Sequence, residues 1–354
     1  MYHGEVGYLN LLQDVLSHGE RRSNRTGVDT MSMIGPQLSF LIDDTFPLIT
    51  TKRVWWKGIA VELDWMLQGV TNVQYMQDLG VKIWDAWADE RGELGPVYGV
   101  QWRAWQPPFD ASGWMDGLYQ VFAEEPQIAI DSIRILHERW KKMNGDEDAG
   151  GVIDGVRVPI EVEIDSLFPL ALRGSSSAVD RLTILATHMG SDLCEPIDQI
   201  AAIVDKLRHH REDRRVILSA WNVGEIDQMK LPPCHYAAQF LVSNDNRLTC
   251  VVSIRSWDLF LGGPFNIGQY ALLTSLLAHV SGLKPHRVVF NAGDAHIYVN
   301  HIDQVREQCE RPVRAAPRLN LNQVDPDDID AFRWDQASIE GYDPHPTLRG
   351  EIAV

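Results

Sequence analysis

The chain has 354 residues, of which 45% are hydrophobic and 23% are charged, and its formal net charge is −17 at pH 7. These values exclude a disordered or fibrous protein, and the length allows one large domain or two ordinary ones. The acidic balance argues against a nucleic-acid partner, because contact with a phosphate backbone favours concentrated Lys and Arg. A small anionic ligand remains compatible, since a few arginines in one pocket can bind it.

Cysteine usage and hydropathy indicate the type of compartment. The sequence contains no unbroken apolar run of membrane length, and its first residues lack the basic-then-apolar order of a signal peptide. We therefore expect a cytoplasmic protein with no membrane partner. The cysteines lie far apart and form no CxxC pair: Cys194, Cys234, Cys250 and Cys309. This spacing predicts reduced thiols, with no metal site and no disulfide framework.

Regular elements are predicted along the N-terminal part of the chain. Apolar residues at helical spacing predict a helix over residues 8–16, and a strand is predicted over residues 31–41. A second, buried helix is predicted over residues 59–67, ending at Gly69. This helix carries Glu62 among apolar side chains. Because burying a carboxylate is costly, Glu62 is a candidate functional residue.

The segment from about residue 107 to 195 differs from the rest of the chain in composition and in its pattern of predicted elements. It begins with prolines, contains a helical pattern over residues 130–143 and ends with a Ser-rich patch at 175–177. Apolar residues alternate over positions 156–164, which predicts a half-buried strand. No catalytic pattern occurs in it. We interpret the segment as an insertion folded onto a host domain.

In the C-terminal part, as in the N-terminal part, predicted helices and strands follow one another closely. A helix is predicted over residues 197–207, strands over 214–220 and 248–255, and a strongly apolar helix over 267–280. Strands and helices mix without a regular βαβ rhythm, and no internal repeat is visible. The expected fold class is therefore α+β and not a doubly wound sheet.

The most distinctive local pattern surrounds Cys234, which follows two prolines and precedes His235. Prolines restrict the backbone to non-helical conformations, which suits a thiol held in one orientation. A single cysteine is more often an inert buried residue, and reactivity requires positive charge that favours the thiolate. Candidates for this charge, and for a phosphate site, are Arg25, Arg214, Arg215 and Arg255, with Ser256 beside the last. Their spacing alone does not bring them together.

Nine longer segments resemble, in the same order, segments of the thymidylate synthase family. They are Asn24-Arg25-Thr26-Gly27 and residues 46–53, 83–89, 95–99, 219–224, 232–235, 264–267, 293–298 and 340–346. The resemblance covers residues 8–106 and 196–354. It implies one catalytic domain over residues 1–354, with a mixed β-sheet flanked by helices and with the insertion at about 107–195.

The resemblance implies a transferase of nucleotide biosynthesis, a folate-dependent methyltransferase that makes dTMP and dihydrofolate from dUMP and 5,10-methylenetetrahydrofolate. Cys234 would attack C6 of the pyrimidine and form a covalent adduct, after which C5 captures the one-carbon unit. Glu62 would manage protons around O4 and C5, and Tyr98 would assist removal of the C5 proton. Asn266 would read the N3 and O4 edge, which favours uracil, because relatives that act on cytosine carry Asp there.

The resemblance also implies binding roles. Arg25, Arg255 and Ser256 would bind the phosphate, and His296 with Tyr298 would bind the sugar 3′-hydroxyl. Arg214 and Arg215 would be donated across the interface of a homodimer. The folate would contact Ile83, Trp84, Trp87, Asp258, Gly262, Phe265 and Val354. Asp258 would also accept hydrogen bonds from the pterin during catalysis, and the segment 352–354 would close over the ligands and exclude water.

The sequence departs from the family pattern at several positions, and these leave the reaction open. Trp55, Ser253, Ile254 and Trp257 stand where His, Tyr, Gln and a small residue or Cys are usual. An apolar residue at the position of Ile254 also occurs in hydroxymethylases of this fold, in which water and not hydride completes the reaction. A dUMP hydroxymethylase that gives 5-hydroxymethyl-dUMP is therefore one alternative, and a non-catalytic nucleotide- or RNA-binding homologue is another. The joint presence of Cys234, Glu62, Tyr98 and Asn266 argues against the latter.

Overall fold

The computed structural model describes residues 1–105, 111–144, 152–153, 156–157, 160–192 and 196–352. The α-helices in this part of the chain are α1 (Gly4–His18), α2 (Trp56–Leu67), α3 (Gln74–Asp78), α4 (Tyr98–Arg103), α5 (Ala111–Glu124), α6 (Pro126–Asn144), α7 (Ile160–Leu172), α8 (Ser176–Asp192), α9 (Gln199–His209), α10 (Gly262–Val280) and α11 (Ile302–Glu310). The strands are β1 (Tyr2–His3), β2 (Glu20–Arg22), β3 (Thr30–Ile34), β4 (Gln37–Leu41), β5 (Val152–Ile153), β6 (Val156–Arg157), β7 (Ile217–Ser219), β8 (His235–Val242), β9 (Arg247–Asp258), β10 (Lys284–Tyr298), β11 (Arg318–Asn320) and β12 (Ser338–Glu340). The chain divides into two compact units, one made of residues 1–105 and 197–354 and the other of residues 106–196.

An eight-stranded mixed sheet forms the centre of the first unit. Its strand order is β1-β4-β10-β9-β8-β7, with β3 paired to β10 and β2 paired to β3. β9 and β10 are parallel and are connected through α10, whereas β8 runs antiparallel to β9 and β4 antiparallel to β10. The expected α+β class, with a mixed sheet flanked by helices, is confirmed.

Helix α10 is the central element of the hydrophobic core. Its residues are apolar on nearly all sides, and it packs against β9, β10 and α2. Gly268 makes the contact with α2 close, because a Cβ at this position would lie 2.8 Å from Ile59 Cδ1. This close packing brings the inner faces of two helices together at the candidate site described below.

The described residues of the second unit form four helices, α5–α8, and a short β5–β6 hairpin. It has a hydrophobic core of its own, which includes Ile130, Ile133, Phe168, Leu182 and Met189. A bundle of this kind follows from helices that are each apolar on one face.

Most elements predicted from the sequence occur in the structure, and two predictions were wrong. The predicted strand over 31–41 is two strands, β3 and β4, separated by a turn at Gly35 with a positive φ of 74°. The predicted strand over 156–164 is mostly helix α7. Ile160, Ile164 and Phe168 lie four residues apart and are all buried, so the apolar pattern served a helical face. Val158, within that prediction, lies outside the described residues.

Other features of the described chain bear on the sequence predictions. Cys234, Cys250 and Cys309 are free thiols, and Cys194 lies outside the described residues. Across the residues that the structure describes, no helix combines the length and apolar character needed to cross a membrane. The same residues hold no group of three or more His, Cys, Asp or Glu side chains arranged as metal ligands.

Candidate active site

The Cys234 thiol lies directly before β8, in a loop that its neighbours hold from two sides. The backbone N–H of Cys234 donates to the Tyr98 hydroxyl at 2.8 Å, and its carbonyl accepts from the Arg255 N–H at 2.8 Å. The Arg255 guanidinium donates to the carbonyls of Pro232 (2.7 Å) and Pro233 (2.9 Å). Arg255 Nη2 lies 3.8 Å from Cys234 Sγ. The prolines therefore fix the loop, and Arg255 brings a positive charge to the sulfur.

Two opposing effects act on the acidity of this thiol. Burial raises the pKa of Cys234 above its ordinary value, while the positive charges of Arg255 and Arg25 lower it. Burial prevails, so the thiolate is the minor form at neutral pH. The sequence predicted that cations would favour the thiolate, and the structure adds the burial that counters them.

Tyr98, the first residue of α4, connects the thiol to an aromatic cluster. Its ring stacks on His235 with centroids 4.2 Å apart and lies 6.0 Å from the ring of Trp84. Burial raises the pKa of Tyr98 well above its ordinary value and lowers the pKa of His235 to about 3. His235 Nδ1 pairs with the hydroxyl of Tyr270 at 2.8 Å. Both rings are therefore neutral at pH 7 and add no charge to the site.

The carboxyl of Glu62 on α2 accepts hydrogen bonds from two donors and has no cationic partner among the described ion pairs. Its side chain is 8% exposed. Oε1 accepts from Trp84 Nε1 at 2.7 Å, and Oε2 accepts from Gln269 Nε2 at 2.9 Å. Burial raises the pKa of Glu62 to about 7, although the two hydrogen bonds act against this rise. A carboxyl of this pKa can both donate and accept a proton near neutral pH.

Asp258 ends β9 and organises the first turn of α10. Its Oδ1 accepts from the backbone N–H of Phe260 (2.9 Å) and Leu261 (3.3 Å), and Oδ2 accepts from Gly262 N–H (3.4 Å). A carboxylate is favourable at a helix N-terminus. Asn266 lies half-buried in the same turn, so Asp258 fixes the backbone that carries it.

Phe265, also on α10, and Trp55 both lie against Gly58 of α2. A Cβ at Gly58 would lie 2.8 Å from the Trp55 ring and 3.1 Å from the Phe265 ring, so glycine allows both aromatics to approach the helix. Trp55 is 44% exposed and Phe265 is half-buried. Both rings are therefore close to the same face of α2 and are partly accessible.

His296 and Tyr298 lie at the end of β10, beside the end of β9. His296 is the partner of Asp258 in the parallel β9–β10 register. Its Nδ1 contacts Asp294 Oδ1 at 2.9 Å, and its ring lies 5.3 Å from that of Tyr298. Because a carboxylate only accepts, Asp294 places the hydrogen on Nδ1 and leaves Nε2 for another partner.

The predicted aromatic wall is continuous with Glu62. The ring of Trp84 lies 6.0 Å from that of Trp65 and 5.7 Å from that of Trp87. Trp87 Nε1 is buried and has no hydrogen-bond partner among the described residues. Ile83 is half-buried and packs against the core. Val354 lies outside the described residues.

Arg214 and Arg215 lie away from this group of residues. They line a surface cavity of about 710 Å³ between the end of α9 and β7, together with Lys206, His210, Glu212 and Asp213. Arg215 Nε pairs with Asp213 Oδ1 at 2.9 Å. Arg25 is exposed yet acts electrostatically on Cys234, and Ser256 is half-buried on β9 next to Arg255. Two predicted arginines are thus not brought to the thiol within one chain.

Two of the sequence departures are absorbed by the core. Ile254 and Trp257 are each 1% exposed and belong to the hydrophobic core, and the Trp257 ring stacks on Phe290 at 5.3 Å. Strand β9 alternates, so the Ile254 side chain points to the opposite face from that of Arg255. The position before Arg255 therefore supplies packing and no polar contact.

Sequence reasoning missed four positions next to the site: Lys52, Gln269, Asp294 and His301. Buried Lys52 donates to the Phe260 carbonyl and lies 3.7 Å from the Phe260 ring centroid, and burial lowers its pKa to about 7. His301 Nε2 donates to the Glu351 carbonyl at 2.9 Å and so holds the C-terminal segment. Gln269 had a visible signal, because it is a polar residue inside a strongly apolar helix.

A comparison of the sequence with protein families gives a match to the thymidylate synthase family over residues 6–354. The match therefore spans nearly the whole chain and includes every part of the site described above. This family comprises enzymes of the folate-dependent methyltransferase kind, which take part in dTMP biosynthesis and use methylenetetrahydrofolate. The chain belongs to the thymidylate synthase family.

Proposed function

We propose that the protein is a thymidylate synthase, which methylates C5 of dUMP with 5,10-methylenetetrahydrofolate to give dTMP and dihydrofolate through a covalent adduct at Cys234. One observation carries the proposal: Tyr98 and Arg255 both contact the residue that bears the thiol, and Arg255 reaches its sulfur. Glu62 is connected to the same group through Trp84 and Tyr98. A protein that only bound nucleotide or RNA would have no need of a thiol in this position.

Cys234 is the nucleophile. Its thiolate sulfur bonds to C6, the C5–C6 π electrons move toward O4 as an enolate, and C5 then bonds to the methylene carbon while one bond from that carbon to a folate nitrogen breaks. Loss of the C5 proton lets the second carbon–nitrogen bond break, hydride from the folate completes the methyl group, and Cys234 leaves C6 as a thiolate, which restores the C5–C6 double bond. Because burial raises the pKa of Cys234, the proton leaves the thiol as the bond to C6 forms, and Arg255 and Arg25 stabilise the developing charge. The folate supplies both the one-carbon unit and the hydride that completes the methyl group.

Glu62 and Tyr98 manage protons. With a pKa of about 7, Glu62 can give a proton toward O4 and take one back during a turnover. Tyr98 stays protonated because burial raises its pKa, and its oxygen already accepts from the Cys234 N–H. Its hydroxyl hydrogen is therefore available to orient the group that removes the C5 proton.

The remaining polar residues bind the nucleotide. Asn266 offers a donor and an acceptor to the N3 and O4 edge of uracil. His296, with Nδ1 committed to Asp294, presents Nε2 to the sugar 3′-hydroxyl together with Tyr298. The phosphate ligands are Arg25, Arg255 and Ser256.

The folate fits the aromatic side of the site. The buried Trp87 N–H has no acceptor within the described part of the chain and can donate to the folate, and Phe265 offers a half-exposed ring surface. Oδ2 of Asp258 accepts one backbone hydrogen bond and so retains a lone pair for a pterin N–H, whereas Oδ1 already accepts two. The proposed folate contacts are Ile83, Trp84, Trp87, Asp258, Gly262, Phe265 and Val354.

Completion by hydride and not by water is favoured by two features. Trp84 is held by its hydrogen bond to Glu62 and is 7% exposed, so its ring excludes water from the side of the reacting carbon that it covers. Ile254, the residue that resembles the hydroxymethylases, is buried in the core and faces away from Arg255. Its apolar character therefore affects packing and not the access of water.

A homodimer completes the phosphate site with Arg214 and Arg215 of the second copy. In support, the sheet face opposite α10 carries half-buried residues such as Val251 and Ser253 on β9, an extended surface that suits a second identical sheet. Mixing two inactive variants, Cys234→Ser and Arg214→Glu with Arg215→Glu, tests this. In a mixed dimer one site carries both defects and the other carries neither, so random mixing should restore about a quarter of wild-type activity. Independent sites within one chain would restore none.

Residues 106–196 are an insertion in one catalytic domain. Trp105 and Ile197, which flank it, form an antiparallel bridge with N–H···O distances of 3.0 and 2.9 Å. The chain therefore leaves and re-enters the first unit at two residues that are hydrogen-bonded neighbours, as at the base of a short loop.

The test of the reaction is incubation with methylenetetrahydrofolate and either dUMP or dCMP, with the product identified by mass and dihydrofolate followed by its ultraviolet absorbance. We expect dTMP from dUMP, dihydrofolate in equal amount and no product from dCMP. Recovery of 5-hydroxymethyl-dUMP with the folate still reduced would instead identify a hydroxymethylase. Full biological activity in the Cys234→Ser variant would contradict the proposal that the protein is an enzyme with Cys234 as its nucleophile.

A further inference from the structure

Gln269 is a buried amide in α10, a helix whose residues are mostly apolar. It is 1% exposed, and its Nε2 donates to Glu62 Oε2 at 2.9 Å and lies 3.6 Å from Met66 Sδ. Its Oε1 is buried and has no partner in the described part of the chain. A buried acceptor without a partner is uncommon and requires an explanation.

We propose that Gln269 is a positioning residue for Glu62, whose amide holds Glu62 Oε2 both when the carboxyl is ionised and when it is protonated. The inference rests on the proposed function, in which Glu62 gives and takes a proton. It assigns the exchanged proton to Oε2, the oxygen that faces Gln269.

The argument for two states follows from the donors and acceptors present. An ionised carboxylate only accepts, so it takes hydrogens from Trp84 Nε1 and Gln269 Nε2. A protonated carboxyl must also donate once. The Trp84 indole only donates, so it stays on Oε1 of Glu62. The amide of Gln269 can instead rotate and present its own Oε1 as an acceptor for the hydrogen on Glu62 Oε2. Rotation about the last torsion of glutamine is broad and two-fold, so both orientations are open to it.

The other groups around Glu62 do not change charge near neutral pH. Tyr98 on α4 and Tyr270 on α10 act electrostatically on Glu62, and burial raises the pKa of each well above its ordinary value. His235, which contacts both tyrosines, has its pKa lowered to about 3 by burial. In the described residues around Glu62, Gln269 is therefore the polar neighbour able to serve both forms of the carboxyl.

The packing of α10 on α2 keeps this contact short. Gly268 precedes Gln269, and a Cβ there would lie 2.8 Å from Ile59 Cδ1, three residues before Glu62 on α2. The glycine thus allows the two helices to approach until the amide reaches the carboxyl. The adjacent Gly268 and Gln269 act as one structural device, in which one residue supplies closeness and the other supplies the hydrogen bond.

The test compares Gln269→Met with wild type in two measurements. Methionine keeps the length of the side chain and removes the amide. The protonated carboxyl of Glu62 is followed by its infrared C=O stretch as a function of pH, with Glu62→Gln used to assign the band, and the pH profile of kcat is recorded separately. Both forms of Glu62 lose a contact, but the charge-assisted hydrogen bond to the ionised carboxylate is the stronger one, so both midpoints should rise by about one pH unit. The ionised fraction at pH 7 would fall about five-fold.

The control is Gln308→Met. Gln308 is also fully buried and donates to Thr51 Oγ1 at 3.0 Å, and its Oε1 has no partner among the residues that the structure describes, but it lies on α11 and not beside Glu62. Its replacement should leave both midpoints unchanged. If Gln269→Met fails to fold, Gln269→Asn, which keeps the amide but shortens its reach, should move the infrared midpoint in the same direction.

An infrared midpoint that stays at its wild-type value in Gln269→Met or Gln269→Asn overturns the inference. The same holds if Gln308→Met moves the midpoint equally, because the effect would then belong to any lost buried amide. A shift of the infrared midpoint without a shift of the kcat profile would support the Gln269 contact and overturn the proton role of Glu62. The two proposals can therefore fail separately.

Discussion

Replacement of Gly350 by Ala should loosen the C-terminal segment without unfolding the protein. A Cβ at Gly350 would lie 2.7 Å from His301 Nε2 and 3.0 Å from Phe260 Cε1, distances that require one side to move. His301 and Phe260 are both fully buried, so the segment moves and not the core. The 2.9 Å hydrogen bond from His301 Nε2 to the Glu351 carbonyl is then lost.

The magnitude follows from that hydrogen bond. A neutral hydrogen bond contributes a net ~1 kcal/mol, which corresponds to about a five-fold drop in the population of the held segment. If this segment closes over the ligands, as the family resemblance implies, kcat/KM falls by the same factor and the fraction of hydroxymethyl product rises. The melting temperature should change by less than about 2 °C, because the core contacts remain.

The assay combines steady-state kinetics with hydrogen exchange of the peptide 346–352. Gly117→Ala on α5 is the control, since its added Cβ meets no atom within 4 Å. The control should retain wild-type kinetics and be unchanged or more stable by roughly 0.5–1 kcal/mol, the helix propensity of Ala over Gly. Wild-type exchange and kinetics in Gly350→Ala would refute the role of His301 in holding the segment. A large fall in melting temperature would show that the overlap is transmitted to the core.

Three further predictions concern the site and the insertion. Burial raises the pKa of Glu62 from 4.5 to about 7, so the free energy of unfolding of the wild type falls as pH rises through this interval. Glu62→Gln should be inactive, yet at pH 8 its free energy of unfolding in urea should exceed that of the wild type by up to about 3 kcal/mol. Burial lowers the pKa of His235 from 6.5 to about 3, so the unfolded state binds the extra proton and stability falls as pH drops through this range. The slope is at most about 1.4 kcal/mol per pH unit, and His235→Phe should remove it. Replacing residues 106–196 by a short glycine-containing turn between Trp105 and Ile197 should leave a folded enzyme with its turnover retained; a product that aggregates would contradict the separate core of the insertion.

Much of the fold and the site could be read from the sequence where a local pattern decides the structure. The helix around Glu62 and the apolar helix α10 follow from residues spaced for one buried face, and both occur as predicted. The rigid loop before Cys234 follows from its two prolines. Local patterns failed where two periods coincide: Ile160 and Ile164 fit both a strand and a helix, and the packing of α7 decided between them.

The sequence by itself determined the fold class, the family and the residue types at the site, because motifs and hydrophobic periodicity are properties of the chain. Only the tertiary structure decided the electrostatics. It buried Glu62 away from any cation in the described residues, which raises its pKa to about 7, and it placed Gln269, 207 residues away in sequence, on the carboxyl. It also turned Ile254 into the core and the Arg255 guanidinium toward the sulfur. Burial and contacts between residues distant in sequence set these pKa values, and a local pattern of residues predicts neither of them.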